Sequence, residues 1–247
     1  MNVVVTGGGT VAPIDDVRHI ANVSSGRFSA MITEACLARG SNVWHIHAPG
    51  AQLPFQRLAR FDLDAVDPGA ECARLTALRE AWNKTRDRLH LVPLSRGTVT
   101  DYASSLERAL TGRRIDVVFL AMAVSDFEPE PVAGKLESVR DTMLIRTARS
   151  PKVIQSVRDW APNVYLVGFK LLSRVSEAEL INQAEAACRT NRADLTVAND
   201  LQTLRAGRHT VHLVRPDETP ETLSPGDDLA QRLVDRVFSW AEHRRRP

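Results

Sequence analysis

A doubly wound α/β domain with a mostly parallel sheet is the fold class this sequence predicts, and three observations predict it. Strand-like and helix-like segments alternate from end to end, without internal repeats or low-complexity linkers. The first of them read strand, glycine turn, helix, strand, a βαβ unit whose crossover is expected to be right-handed. The strand-like runs ending near Thr6, Ala123, Phe169 and Ala198 each meet small or polar residues, as though along one rim.

The elements follow in order. Val3 to Val5 is an apolar run long enough only for a buried strand, and Thr6-Gly7-Gly8-Gly9-Thr10 is its turn. Glycines there allow positive φ and leave no Cβ between backbone N–H groups and a ligand. A second small-residue turn, Asn22-Val23-Ser24-Ser25-Gly26, precedes a helical pattern through Phe28, Ile32, Ala35, Cys36 and Leu37. A Ser-Ser-Gly turn at a helix start offers unpaired N–H donors and the positive end of the helix dipole. Either turn alone reads equally as a loop or an N-cap; the pair, behind an N-terminal strand, points to nucleotide or phosphate binding. Gly40 is a C-cap, and Asn42 to Ala48 alternates like a strand up to Pro49-Gly50. The spacing is not GxGxxG, and Pro13 with a charged loop follows the first turn, unlike a dinucleotide-binding fingerprint.

Leu53 to Phe61 is expected to be irregular, and Ala70 to Arg88 a charged helical excursion marked by Leu75, Leu78 and Trp82. Leu89 to Leu94 is a short strand, and Asp101 to Leu110 a helix with Thr100 as N-cap and Gly112 as its end. Ile115 to Ala123 is the next strand, bounded by Ser125-Asp126. Ligands of open α/β sheets gather beyond the carboxyl ends of strands, so Asp126 is a candidate site residue, with an Asx turn as the alternative reading. Glu128 to Gly134 is too rich in proline for regular structure, and Lys135 closes it. A loop-tip lysine is ordinarily solvated, but this one is placed to meet a phosphoryl group. Met143 to Thr147 reads as a strand forming a hairpin with Lys135 to Val139, and Ser150-Pro151 as cap and first residue of a helix to Trp160. Tyr165 to Lys170 is a strand, Glu177 to Arg189 a helix, and Leu195 to Ala198 a strand ending in Asn199-Asp200. His209 to Val214 is a late edge strand, and Asp227 to His243 an amphipathic helix through Leu229, Leu233, Val237 and Trp240. The cationic tail Arg244 to Arg246 reads as solubilising.

At 247 residues the chain can bury a sizeable core, and 43% hydrophobic with 25% charged residues is ordinary for a globular protein. The net charge of +2 does not point to nucleic acid or an anionic membrane, and no apolar run approaches the roughly 20 residues needed to span one. Cys36, Cys72 and Cys188 are odd in number and far apart, each in a helical pattern, which favours reduced core thiols. The N-terminus lacks the basic and apolar regions of a secretory signal, so a cytoplasmic location is expected.

With these residues assembled, the chain resembles the phosphopantothenate–cysteine ligases of coenzyme A biosynthesis. The motifs that carry the resemblance are TGGGTVAPIDDVRHIANVSSG, AMAVSDF, GKLES, SPKVI, DWAP, GFK and ADLTVAND, in the family's order from residue 6 to residue 200. It implies a single Rossmann-like ligase domain over 1–247, a helical insertion at about 65–90 and a dimerisation hairpin at about 133–149. The implied reaction joins 4′-phosphopantothenate to L-cysteine in two steps: an acyl-nucleotidylate forms with release of pyrophosphate, then the cysteine amine displaces the nucleoside monophosphate. By position, Asn22 matches the asparagine that holds the acyl-nucleotidylate, and Lys135 the lysine that assists nucleotidyl transfer. The nucleotide would meet Gly7, Gly8, Gly9, Thr10, Ser24, Ser25, Gly26, Ala121, Ala123, Asp126, Pro151, Lys152, Val153, Ile154, Phe169 and Lys170, with Phe169 near the base. Arg18, Asn22 and Asn199 would bind the acid substrate. The resemblance also implies a homodimer and Mg2+ carried by the triphosphate without a protein metal motif.

Departures are specific. Ser29 stands where many members have glycine, and Arg189 and Arg192 are out of register with the lysine pair of CTP-using bifunctional members. DWAP, GFKL and the Ala70 to Arg88 segment are similar to stand-alone ligases. The nucleotide is left open between ATP and CTP, leaning to ATP. Of the rival readings, an NAD(P)-dependent oxidoreductase would want an acidic residue ending the second strand, where this chain has His47-Ala48-Pro49. A non-catalytic nucleotide-binding paralogue is argued against by the presence of both Asn22 and Lys135.

Overall fold

The structure, a computed structural model, describes residues 1–136 and 142–245. Its main sheet is built on β1 (Asn2–Gly7), whose Val3 and Val5 face one side and Val4 the other, all fully buried. To one side lie β4 (Asn42–His47) and β5 (Leu89–Pro93). To the other lie β6 (Val117–Leu120), β9 (Tyr165–Leu172) and β10 (Leu195–Asp200). The order is β12-β11-β10-β9-β6-β1-β4-β5. The six strands from β5 to β10 are mutually parallel; β11 (Val211–Val214) runs antiparallel to β10, and β12 (Glu221–Leu223) antiparallel to β11. The chain therefore winds outward in both directions from β1 and β6, and the switch point lies between them.

Helices cover both faces. On the side of Val3, Val5, Phe119 and Val167 pack α1 (Arg27–Ala38) and α7 (Leu229–Arg245), through Ile32, Cys36, Leu233 and Val237. On the side of Val4, Val118 and Leu166 pack α3 (Val99–Thr111) and α4 (Val153–Trp160), through Tyr102, Leu106 and Val157, with Cys188 of α5 (Glu177–Thr190). Helix α1 ends in a Schellman motif: Gly40, at φ 79°, donates to Leu37 O, and Ser41 N to Cys36 O. Among the described residues no helix is long and apolar enough to cross a membrane.

Several expectations need correction. The loop after the glycine turn is a small hairpin, β2 (Val11–Pro13) against antiparallel β3 (His19–Ala21), because the Ile14 and Asp15 N–H groups close on Arg18 O. Helix α3 starts after Thr98, whose side chain accepts from Asp101 N at 3.2 Å, and not after Thr100. Helix α4 starts at Val153 after Lys152, with no side-chain cap. Ser150 is not its cap, because Ser150 N donates to Asp126 O and keeps the chain extended. The hairpin arms described are β7 (Phe127–Pro129) and β8 (Thr147–Arg149), which share only Thr147 with the expected Lys135 to Val139 and Met143 to Thr147. Residues 137–139 of that expectation lie outside the described residues, and Met143 to Arg146 are not strand. β12 takes the edge expected of β11, and a short α6 (Leu201–Arg205) follows β10, capped by Asp200. Cys36 and Cys188 are core thiols, but Cys72 is exposed, because α2 (Pro68–Thr85) buries only Glu71.

Candidate active site at the strand switch point

The glycine turn closes onto the end of β6 through a chain of hydrogen bonds. Ala123 N donates to Gly8 O (2.9 Å), Thr10 N to Ala123 O (2.9 Å), and Ser125 N to Thr10 Oγ1 (3.0 Å). Met122 N donates to Thr6 Oγ1 at 3.2 Å. These bonds consume the backbone groups that would otherwise be orphaned at the switch point. Ala123 is thereby lodged beside Gly8 and Gly9, two residues after Ala121 at the end of β6.

The second turn meets the first. A Cβ on Gly26 would stand 3.2 Å from Gly8 N, and one on Gly9 only 2.4 Å from Asn22 O. Asn22, exposed after β3, and the Ser24-Ser25-Gly26 turn are thus drawn against the glycine turn, and Gln52 N donates to Ser25 O at 2.8 Å. Gly26 is the N-cap of α1 at φ 73°, in the left-handed region glycine tolerates, and has no side chain of its own to cap the helix. The first-turn N–H groups of α1 are therefore left to water or an anion, as phosphate sites at helix N-termini require. Ser25 Oγ takes one of them, accepting from Arg27 N at 3.3 Å.

Other candidates gather on the same rim. Lys152 Nζ is 2.5 Å from Asp126 Oδ1, an exposed ion pair that leaves the cation near the mouth. Ile154, in the first turn of α4, lies over Gly168, where a Cβ would be 3.1 Å from its Cδ1. Val153 is buried beneath it, and Pro151 is exposed. Phe169 is half-buried and meets Phe28 edge-on, with ring centroids 6.4 Å apart, while Phe28 meets His209 at 4.5 Å. Burial, and then the Arg27 charge, lowers the pKa of His209. Lys170 and Asn199 lie near the carboxyl ends of β9 and β10, with Asn199 opposite Leu171. Asn199 is separated from β1 by β9 and β6, so no described contact joins it to the two turns. Among the described residues no three His, Cys, Asp or Glu side chains cluster as a metal site. A cavity of about 470 Å³ beside Arg114, Asn163, Tyr165 and Arg244 opens at the opposite end of the strands, away from both turns.

Arg18 is bonded to its own turn and to the loop around Lys135. Its Nε and Nη2 both reach Asp15 Oδ2, at 2.9 and 2.5 Å, and Nη2 also donates to Leu136 O at 3.0 Å. Lys135 is exposed between Gly134 and Leu136, both of which bond to residues 15–18. Asp15 and Asp16 were not candidates; an Asp-Asp-x-Arg turn was the available signal.

Beneath the turns runs a buried polar seam. Ser29 and Thr33, one turn apart on α1, face β1 and β4: Ser29 Oγ donates to Gly26 O at 2.7 Å, and Thr33 Oγ1 pairs with His45 Nδ1 at 2.7 Å. His45 is fully buried, its Nε2 has no partner among the described residues, and its pKa is pushed down to about 3 by burial, with the nearby His47 adding to the shift. It is therefore neutral in the fold. A group whose folded pKa lies below its ordinary 6.5 contributes stability that is fully present above about 6.5 and is lost as pH falls towards 3. Between about pH 7 and pH 5 this amounts to about 2 kcal/mol. In urea unfolding of His45→Asn, the drop in stability from pH 7 to pH 5 should be smaller by about that amount; an unchanged drop would remove His45 as its source.

Residues 1–71 and 95–240 match the family described as DNA/pantothenate metabolism flavoprotein C-terminal domain, a match that omits most of α2 and all of β5. Phosphopantothenate–cysteine ligase 2 of Oryza sativa is 32% identical over 272 residues, covering 98% of this chain and 80% of its own length. The coenzyme A biosynthesis bifunctional protein of Thermococcus kodakarensis is 30% identical over 238 residues, covering 95% of this chain. The chain spans about half the length of that protein and of its Methanocaldococcus jannaschii counterpart. The crystal structure of the DNA/pantothenate metabolism flavoprotein from Streptococcus pneumoniae superposes with a TM-score of 0.75 at 25% identity, covering 97% of this chain and 99% of that one. With a family match over most of its length and the similarity to the rice protein, this chain belongs to the phosphopantothenate–cysteine ligase family.

Proposed function

We propose that this chain joins 4′-phosphopantothenate to L-cysteine through an acyl-nucleotidylate. The observation that carries the reading is the junction of the two turns, with Asn22 O closing on Gly9 and the uncapped start of α1 beside Gly8. A polyanion seated there would meet backbone N–H donors and a helix N-terminus, with Lys152 and Lys170 near the same rim. The substrate carboxylate oxygen attacks the α-phosphorus, the α–β anhydride bond breaks and pyrophosphate leaves. Lys135 stabilises the charge that develops on the phosphoryl oxygens. The cysteine nitrogen then attacks the acyl carbon, the bond to the nucleotide oxygen breaks and the amine proton is lost. Asn22 holds the activated acyl group for that attack. Neither step needs a side-chain nucleophile.

Magnesium would neutralise the triphosphate when bound. The rim's amide and cationic donors suit a metal held by phosphate oxygens and water, not by a protein cage. The nucleotide is ATP or CTP, and ATP is favoured by the likeness to stand-alone ligases. The organisation we infer is one ligase domain over 1–247 with a helical insertion at about 65–90, acting in the cytoplasm as a homodimer. The exposed apolar side chains of Phe127, Val132, Met143 and Leu144 beside the β7–β8 arm support the dimer.

Purified protein given phosphopantothenate, cysteine, magnesium and either nucleotide should release pyrophosphate, and sedimentation of the same sample should give twice the chain mass. No release with either nucleotide would sink the ligase reading, and a monomer at assay concentration would remove the dimer.

A further inference from the structure

Lys135 follows a proline-rich loop, yet the peptide units on both sides of it are gripped. Gly134 N donates to Asp16 Oδ2 at 3.0 Å, and Gly134 O accepts from Asp16 N at 3.1 Å. Leu136 N donates to Asp15 Oδ2 at 3.0 Å, and Leu136 O accepts from Arg18 Nη2 at 3.0 Å. One turn earlier, Val132 N donates to Ile14 O at 3.0 Å. Residues 14–18 thus hold the N–H and the carbonyl of both neighbours of Lys135, whose own side chain is exposed.

Asp15 is the centre of this grip. Its side chain is fully buried and accepts from Val17 N (3.0 Å) and Arg18 N (2.8 Å) on one oxygen. The other oxygen accepts from both Arg18 nitrogens and from Leu136 N. The Arg18 guanidinium, with the backbone N–H groups, holds the carboxyl well below the usual carboxylate range, although burial pushes the other way. A buried carboxylate is retained only where charge-assisted bonds of this kind satisfy it. The same turn runs through β3 directly into Asn22.

We propose that Asp15, with Asp16 beside it, is a positioning residue for Lys135. It acts through the backbone of Gly134 and Leu136, so that lysine and Asn22 are carried on one rigid unit. This rests on the ligase reading for Lys135. Asp15 touches no substrate; it removes the backbone freedom that would otherwise have to be lost each time the lysine engages a phosphoryl group. On this view Arg18 is part of the clamp, and its guanidinium is committed to Asp15 and Leu136 rather than to the acid substrate.

The test is a double-mutant cycle on the first step, read as pyrophosphate release in single turnover without cysteine. Asp15→Asn should slow that step about tenfold or more, and the double variant Asp15→Asn/Lys135→Gln should be no slower than Lys135→Gln alone. Multiplicative losses would overturn the proposal, because a general structural role would act independently of the lysine. Asp16→Ala, at an exposed site, keeps the test readable if Asp15→Asn folds poorly; about a threefold loss is expected, again absent in the Lys135→Gln background. Amide exchange reads the clamp without activity: the Gly134 and Leu136 N–H groups should lose about tenfold in protection in Asp16→Ala and Asp15→Asn respectively. Unchanged exchange would overturn the clamp. A wild-type chain that releases no pyrophosphate would overturn the ligase reading instead, with exchange still deciding whether the clamp exists.

Discussion

Lys135→Gln is expected to slow pyrophosphate release by about 10²- to 10³-fold, the loss typical of removing one preorganised group that stabilises transition-state charge. Glutamine keeps most of the length and a hydrogen-bond donor but not the charge, so nucleotide affinity should change much less than turnover. Asn22→Asp should behave differently. The near-isosteric side chain leaves the backbone contact between Asn22 O and the Gly9 position undisturbed, so the first step should survive. The intermediate should then wait, giving a burst of pyrophosphate close to one per active site followed by slow turnover. Rapid-quench measurement of pyrophosphate and of the final amide separates the two variants. If both retain near wild-type turnover, the assigned roles are wrong whatever the family.

Gly7→Ala should be the most damaging small substitution in the turns. Gly7 ends β1 in register with His47, and a Cβ there would lie 1.8 Å from Ser29 Oγ and 2.6 Å from Ser29 Cβ. Ser29 is buried on α1 and tied to Gly26 O, so it cannot yield without shifting the helix that carries the second turn. Overpacking of this kind costs about 1–3 kcal/mol, and here it also pries the two small-residue turns apart. The melting temperature should fall by several degrees and nucleotide affinity with it. Gly7→Ala/Ser29→Gly should recover most of both, because the added methyl enters the room the serine vacated. Ser29→Gly alone should cost about 1 kcal/mol, the penalty of glycine inside a helix. Thermal melts and nucleotide titration of the three variants check this; a double variant as impaired as Gly7→Ala would exclude the Gly7–Ser29 contact as the cause. The same contact gives a physical account of the Ser29 departure: the hydroxyl occupies the space beside Gly7 and bonds back to the turn.

Much of the molecule was legible from local pattern. The apolar alternation of Val3 to Val5, the capping glycine at Gly40 and the strand–helix alternation each report on the residues that carry them, so the doubly wound sheet could be read directly. The two small-residue turns were visible for the same reason, since the need for glycine at Gly26 is written in its own φ. The misplaced caps at Thr100 and Ser150 have different causes: Thr98 and Thr100 can both cap, and the helix starts one turn before Asp101 N, whereas Ser150 is drawn away by Asp126, distant in the chain.

The sequence by itself determined the fold class, the family and the two turns, because periodicity, glycine and motif are properties of adjacent residues. Only the tertiary structure decided that Gly8 and Gly26 meet, that Ser29 fills the space beside Gly7, and that Arg18 serves Asp15 and Leu136. Each of those contacts joins segments whose closeness depends on how β1, α1 and the loop before Lys135 pack, and no spacing along the chain encodes that distance.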